Sequence, residues 1–286
     1  MSKPFGPERW ANDISIILRT VLGADRFPID VKAVAREISA QKFPADPITM
    51  IRGDALNRFE GALVPAPAGR TGWGILYNND IKSNGRINFT LAHEFGHYLL
   101  HRFAYPKGLR CSSEDMRNWK SEFGQLEQQA NTFAATLLMP LDDFRGQIGA
   151  RDRPTLDELG NCADRYEVSL IAATLRWLHF CDRRAMLVLS RDGFILWARP
   201  SEPALKSGLY YRTRNAPPIE LPSQSLAMRR QSCGTSYAEH DEQVWLGQAC
   251  SENVIVSDNY DCTISLLHFD DAAFEARWSG RAAAMQ

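Results

Sequence analysis

The sequence has no Cys-x-x-Cys pair. Its six cysteines, Cys111, Cys162, Cys181, Cys233, Cys250 and Cys262, lie far apart along the chain. That spacing argues against a cysteine-built zinc site and for reduced thiols in a cytoplasm. There is no run of about 18 apolar residues, so no membrane-spanning helix is expected. Residues 1–7 hold no apolar core ahead of a small-residue cleavage site, so no secretion signal is expected either. No charge sign is in excess: the formal net charge is −1. A whole-molecule basic field that would hold nucleic acid or an anionic membrane is therefore excluded. The basic pairs Arg183-Arg184 and Arg229-Arg230 read as solvated surface. Internal repeats and low-complexity tracts are also missing. What remains is an ordinary globular composition, 44% hydrophobic and 23% charged over 286 residues. Such a chain builds one to three compact units around cores that need no covalent staples.

The apolar spacing predicts an α+β chain in three parts: residues 1–150, 151–182 and 183–286. Trp10, Ile14, Ile17, Leu18 and Val21 mark one face of a first helix. Asp30 is placed to cap a second helix over residues 31–39, with Val31, Val34, Ala35 and Ile38 inward. Residues 42–57, rich in proline and turn formers, read mostly as connection. Two short strands follow, at residues 59–64 and 73–77. A helix from about Thr90 to Arg102, a polar loop at about 105–120, and a helix from about Ser121 to Met139 complete the first part. The second helix stops at Pro140. Thr155 and Glu158 form a capping box ahead of the stripe Leu156, Leu159, Ala163 and Tyr166. With a further helix over residues 169–180, this gives a helix-turn-helix-like segment. Beyond Ala185 the chain becomes strand-rich, beginning with a hairpin turned at Asp192-Gly193. Residues 201–242 read as long loops and short strands.

The chemistry concentrates in His93-Glu94-Phe95-Gly96-His97. On a helix, residues four apart share a face about 5–6 Å from one another. Two imidazoles so placed converge on one cation, and Glu94 lies beside the first of them. This is the His-Glu-x-x-His pattern of zinc peptidases. In that chemistry the metal polarises a scissile carbonyl, and the glutamate takes a proton from the attacking water and passes it to the leaving amine. Two histidines on a helix face making ordinary hydrogen bonds are the plain competing reading. A catalytic zinc also needs a third protein ligand. Glu114, Glu122 and Glu127 all lie downstream, and the residues alone leave the choice among them open. Ala130, Ala134 and Ala135 make the helix that carries Glu127 slim enough to approach a neighbour closely. His101 would lie about 12 Å along the helix axis from His93, too far to share an ion. It reads as a helix-end or pocket-rim histidine. His179, His240 and His268 read as structural or exposed. Strand 73–78, just ahead of the active helix, reads either as an ordinary inner strand or as an edge that pairs with an extended substrate through Trp73, Ile75 and Tyr77.

Residues 86–101, Arg-Ile-Asn-Phe-Thr-Leu-Ala-His-Glu-Phe-Gly-His-Tyr-Leu-Leu-His, resemble the active helix of the ImmA/IrrE metallopeptidases. Residues 127–140 resemble the second signature of that family, and residues 29–35 its opening helix. The resemblance implies a zincin-like domain with His93, His97 and Glu127 as zinc ligands and Glu94 as the catalytic base. Asn131, one helical turn after Glu127, is then placed to orient a ligand imidazole. It implies a helix-turn-helix repressor as substrate, whose cleavage derepresses stress-response or mobile-element genes. Some members add helical and GAF-like domains, and the layout here is similar, by fold-level analogy alone. Residues 1–27 are too short to hold the DNA-binding domain found in many relatives.

Two functions from different classes follow. The first is a cytoplasmic zinc endopeptidase acting on a repressor. The second is a metal-binding sensor that binds DNA or a transcription factor without cutting it. Glu94 favours the first, because a purely structural zinc site needs no general base. Direct DNA binding is disfavoured: helix 169–180 offers only Arg176 and His179, and phosphate binding needs several cations. Oligomeric state is not fixed by the sequence.

Overall fold

A computed structural model describes residues 5–56, 59–111, 122–229, 235–257 and 261–270. The chain divides into two compact units, one of residues 1–144 with 163–169, the other of residues 145–162 with 170–286. The expected segment 151–182 does not stand alone. Its first helix is split, with residues up to Cys162 in the second unit and residues from Ala163 in the first.

The first unit opens with α1 (Pro7–Leu22) and α2 (Val31–Lys42). The Asp30 carboxylate caps α2 by accepting from the Ala33 N–H at 3.0 Å, as predicted. The stripe Val31, Val34, Ala35 and Ile38 is buried. In α1 the buried residues are Ala11, Ile14 and Ser15, whereas Ile17 and Val21 face solvent. The expected apolar face was therefore rotated. Strand β1 (Ile48–Asp54) runs through the window read as connection. Its prolines sit ahead of the strand, at 44 and 47, where they cost no ladder hydrogen bond. Strands β2 (Gly61–Pro65) and β3 (Trp73–Asn78) then lead to α3 (Asn84–His101). Helix α3 starts six residues before the predicted Thr90, because the Ser83 hydroxyl accepts from the Arg86 N–H and caps it earlier.

Short β4 (Leu109–Cys111) falls inside the predicted loop, and residues 112–121, which include Glu114, lie outside the described residues. The unit closes with α4 (Glu122–Leu138) and the start of α5 (Leu141–Gln147). The sheet order is β1-β3-β2-β4. Strand β3 is parallel to β1 and antiparallel to β2, so both of its backbone edges are already paired. The expectation that Trp73, Ile75 and Tyr77 form a substrate-binding edge is corrected: β3 is an inner strand. Trp73 and Ile75 are buried in the core, and Tyr77 meets the Lys32 ammonium at 3.2 Å.

In the second unit, α6 (Leu156–Tyr166) begins at the predicted capping box. Glu158 accepts from the Thr155 N–H at 2.7 Å, and the Thr155 hydroxyl accepts from the Glu158 N–H at 3.2 Å. Helix α7 (Leu170–Phe180) follows. Then come β5 (Ala185–Arg191), β6 (Phe194–Pro200), α8 (Glu202–Lys206), β7 (Ile219–Glu220), α9 (Leu226–Arg229), β8 (Thr235–Trp245), β9 (Gln248–Ser257) and β10 (Cys262–Phe269). They form an antiparallel sheet in the order β7-β6-β5-β10-β9-β8. The β5–β6 hairpin turns at Asp192 and Gly193, both with positive φ, the backbone a two-residue hairpin turn requires.

Buried Glu252 organises this unit. Its carboxylate accepts from the Leu226 and Ala227 N–H groups, the Trp245 indole and the Ser265 hydroxyl, and it faces His240 Nε2 at 2.7 Å. His268 is buried against the Pro154 carbonyl at 2.9 Å. Cys162, Cys181, Cys250 and Cys262 are buried; Cys233 and Arg230 lie outside the described residues. Among the described residues, no helix is long and apolar enough to cross a membrane.

Candidate metal centre

Helix α3 is buried almost throughout from Thr90 to its end, including Leu91, Ala92, Phe95, Tyr98 and Leu99. An amphipathic surface helix would expose one side of this run. Here sheet and helices cover it all round. Its far end is anchored by Arg102, which donates to Asp46 at 3.1 Å and to the Tyr98 carbonyl at 2.8 Å. The same guanidinium lies over the rings of Phe43, Tyr98 and Phe103. The helix is thus held rigidly from cap to end, and its functional side chains inherit that rigidity.

Helix α4 packs along α3 at close range. A Cβ added at Gly96 would lie 3.0 Å from Phe133 and 3.3 Å from the Ala130 Cα. The glycine inside His-Glu-Phe-Gly-His is therefore a packing residue: it admits the backbone of α4. Ala130 and Ala134 are buried from the other side, as their small size led us to expect. This approach carries Glu127 to the two histidines.

His93 Nε2 and His97 Nε2 lie 2.9 Å apart. The Glu127 carboxylate reaches them at 3.3 and 3.2 Å. All three side chains are buried, and their donor atoms fall within 4.8 Å of one another, a grouping able to hold a metal ion. Both Glu127 oxygens are buried without a hydrogen bond of sound direction. Two imidazole nitrogens and a carboxylate, converging within 4.8 Å of one another, are the borderline-soft donor set that suits zinc. The residues fit the metal that the motif implies.

The charges agree with this. Burial would raise the Glu127 carboxyl, but the two imidazoles outweigh it and hold it below the ordinary carboxylate range. Burial pulls His97 down to about 4, which keeps the ring neutral and its lone pair available. Burial also acts to lower His93, but Glu127, Glu94 and Asn131 together leave it raised.

Glu94 is fully buried, between α3 and the start of β2. A Cβ at Gly61 would come within 2.6 Å of its Oε1, so only glycine leaves it this seat. Asn131 Oδ1 meets His93 Nδ1 at 3.0 Å, the contact expected of an orienting residue. His101 is the last residue of α3, the helix-end position expected of it, but it is buried rather than at a rim, and its Nδ1 lies 2.9 Å from His97 Nδ1. Its Nε2 meets Gln129 Oε1 at 3.0 Å. The distance argument that kept His101 off the metal holds, but it overlooked the partner one turn away. The i, i+4 spacing from His97 was the available signal. Gln129 and Gly61 carried no signal of their own.

No curated protein matches the chain. Residues 54–178 match the family model described as IrrE N-terminal-like domain, an M78 peptidase family. The match contains all of β2, β3, α3 and α4, and so every residue of the cluster. Residues 54–178 therefore form an IrrE N-terminal-like domain, and that domain supports an assignment to the ImmA/IrrE family.

Proposed function

We propose that the protein is a zinc endopeptidase that cleaves a helix-turn-helix transcriptional repressor. The observation that carries the reading is the convergence of His93 Nε2, His97 Nε2 and Glu127 beside the buried carboxylate of Glu94. Zinc held by those three side chains supplies a Lewis acid that polarises a carbonyl and acidifies water. Glu94 accepts the proton of the attacking water and returns it to the departing amine. Asn131 holds the His93 ring so that its Nε2 faces the site. Burial of the cluster keeps these charges strong by excluding bulk water.

The repressor as substrate, and a derepressed stress-response or mobile-element programme as outcome, rest on the family alone. The reading also places the protein in the cytoplasm, where its scattered thiols stay reduced. Direct DNA contact by α7 is disfavoured further, because Arg176 is buried and only His179 of the two candidates is exposed. The second unit is read as regulatory, GAF-like only by analogy. No donor grouping for a metal occurs in it among the described residues.

The test is Glu94→Gln, which keeps the shape of the side chain and loses the base. We expect full zinc content, an unchanged fold and cleavage of the cognate repressor reduced at least about a hundredfold. Wild-type cleavage by Glu94→Gln would overturn the mechanism. A zinc-loaded wild-type protein inert toward every helix-turn-helix repressor encoded beside it would overturn the substrate.

A further inference from the structure

His97 is engaged on both sides of its ring. Its Nε2 points to His93 and Glu127, and its Nδ1 lies 2.9 Å from His101 Nδ1. His101 in turn places Nε2 3.0 Å from Gln129 Oε1. Three side chains thus form a line, Gln129–His101–His97, ending at the lone pair the metal needs. Helix α4 supplies its outer end two residues after Glu127, the ligand itself.

Proton counting along this line has one outcome. A neutral imidazole carries one N–H, and an amide oxygen only accepts. With Gln129 Oε1 facing it, His101 carries its proton on Nε2. Its Nδ1 is then bare and accepts, so the proton between the two Nδ1 atoms belongs to His97. His97 Nε2 is left bare, its lone pair directed at the site. On the other ligand Asn131 Oδ1 does the same in one step, fixing His93 as the Nδ1–H form. Reversing the Gln129 amide reverses every proton in the line and places a hydrogen on His97 Nε2, where no metal can then bind.

We propose that His101 and Gln129 are positioning residues that act through His97: Gln129 fixes the His101 tautomer, and His101 accepts the His97 Nδ1–H, leaving Nε2 for the metal. The proposal rests on the zinc reading above. It gives α4 three functions within five residues, because Glu127 ligates while Gln129 and Asn131 each orient one of the two imidazoles. It also explains why His101 is buried at the end of α3, where the Arg102 anchor holds the backbone still.

The experiment measures zinc affinity by competition with a chromophoric chelator at fixed pH, in the full-length chain. The variants are Gln129→Leu, Gln129→Glu, His101→Phe and the Gln129→Leu/His101→Phe double. Long-range nitrogen–proton NMR of the imidazoles in zinc-loaded wild type is recorded alongside. Loss of an orienting partner weakens metal binding by about 10–100-fold, and we expect His101→Phe to fall in that range. Gln129→Leu should lie near its lower end. Gln129→Glu, which like Gln129 Oε1 offers His101 an acceptor, should keep affinity near wild type. In the double variant the Gln129 change should add less than about a twofold effect, because its only route to the metal is already cut. The NMR should show His97 protonated at Nδ1 and His101 at Nε2.

Wild-type affinity in Gln129→Leu overturns the proposal, as does His101 protonated at Nδ1 in the zinc-loaded protein. Equal weakening by Gln129→Leu with and without His101 also overturns it, since the glutamine would then act by another route. Gln129 is exposed, so its variants and the NMR decide the matter even where His101→Phe fails to fold. If wild type binds no zinc, the metal reading falls with the proposal. If His97→Ala abolishes binding while the Gln129 and His101 variants leave it intact, only the proposal falls.

Discussion

Gly61→Ala tests whether the seat of Glu94 decides catalysis. The added Cβ would meet Glu94 Oε1 at 2.6 Å, Thr90 Cγ2 at 2.6 Å and Glu94 Cγ at 2.9 Å. Ordinary contact begins near 3.4 Å, so the overlap is about 0.8 Å on two residues of α3 at once. Strand β2 cannot back away, because Gly61 is paired to Tyr77 on one side and Cys111 on the other. Helix α3 cannot either, since both its ends are fixed. The Glu94 side chain must yield, by a distance close to the overlap. A misplacement of about 1 Å in a catalytic group lowers turnover by about 10²-fold. We therefore expect a 10- to 100-fold loss. Overpacking should also destabilise the protein by about 1–3 kcal/mol. Zinc content should stay at the wild-type level, because the atoms nearest the new methyl belong to Glu94 and Thr90 rather than to His93, His97 or Glu127.

The assay compares peptide cleavage with zinc per chain and with the urea midpoint. Gly74→Ala is the control in the same sheet. Its new methyl would meet the mobile end of Met50 at 2.6 Å, so stability should fall slightly and cleavage should persist. Full activity in a folded, zinc-loaded Gly61→Ala protein would refute the claim that this glycine holds the base in place.

Three further outcomes follow from the same geometry. His97→Ala should remove most bound zinc and Glu127→Ala should weaken binding, each read as zinc per chain after dialysis; full occupancy in His97→Ala would dismiss the centre. Asp143 accepts two hydrogen bonds from Arg165, at 2.9 and 3.0 Å, and one from Tyr166 at 2.6 Å. Burial would raise its carboxyl, but these partners outweigh it and hold it below its ordinary 3.8. Its contribution to stability is therefore complete above pH 3.8 and is lost as pH falls through the lower folded value. Asp143→Asn should destabilise the protein at pH 7 by about 1–3 kcal/mol, and an acid titration should show the difference closing below that pH. Truncation separates regulation from packing. A chain ending at Met139 loses Phe144 and Tyr166, which stack at 5.6 Å in the first unit, and should be poorly folded. One ending near Asp182 keeps both. That longer chain should hold zinc and cut a generic peptide but lose selectivity for the repressor; retained selectivity would exclude a sensory second unit.

The sequence by itself determined the local features of this protein. Asp30, the Thr155/Glu158 box and the Asp192-Gly193 turn act through neighbours two to four residues away, so each was legible. The pairing of His93 with His97 was legible for the same reason, since helix periodicity alone puts them on one face. Glu127, the third member of the cluster, became legible through the resemblance of residues 127–140. Only the tertiary structure decided the rest. Whether β3 is an edge depends on a parallel partner, β1, whose pattern is short and lies in a proline-rich window. The roles of Gly61, Gly96 and Gln129 come from close approaches between segments far apart in the chain. A glycine or glutamine has no local signature for such a contact, because the atoms that give it meaning arrive only when sheet and helices close around α3.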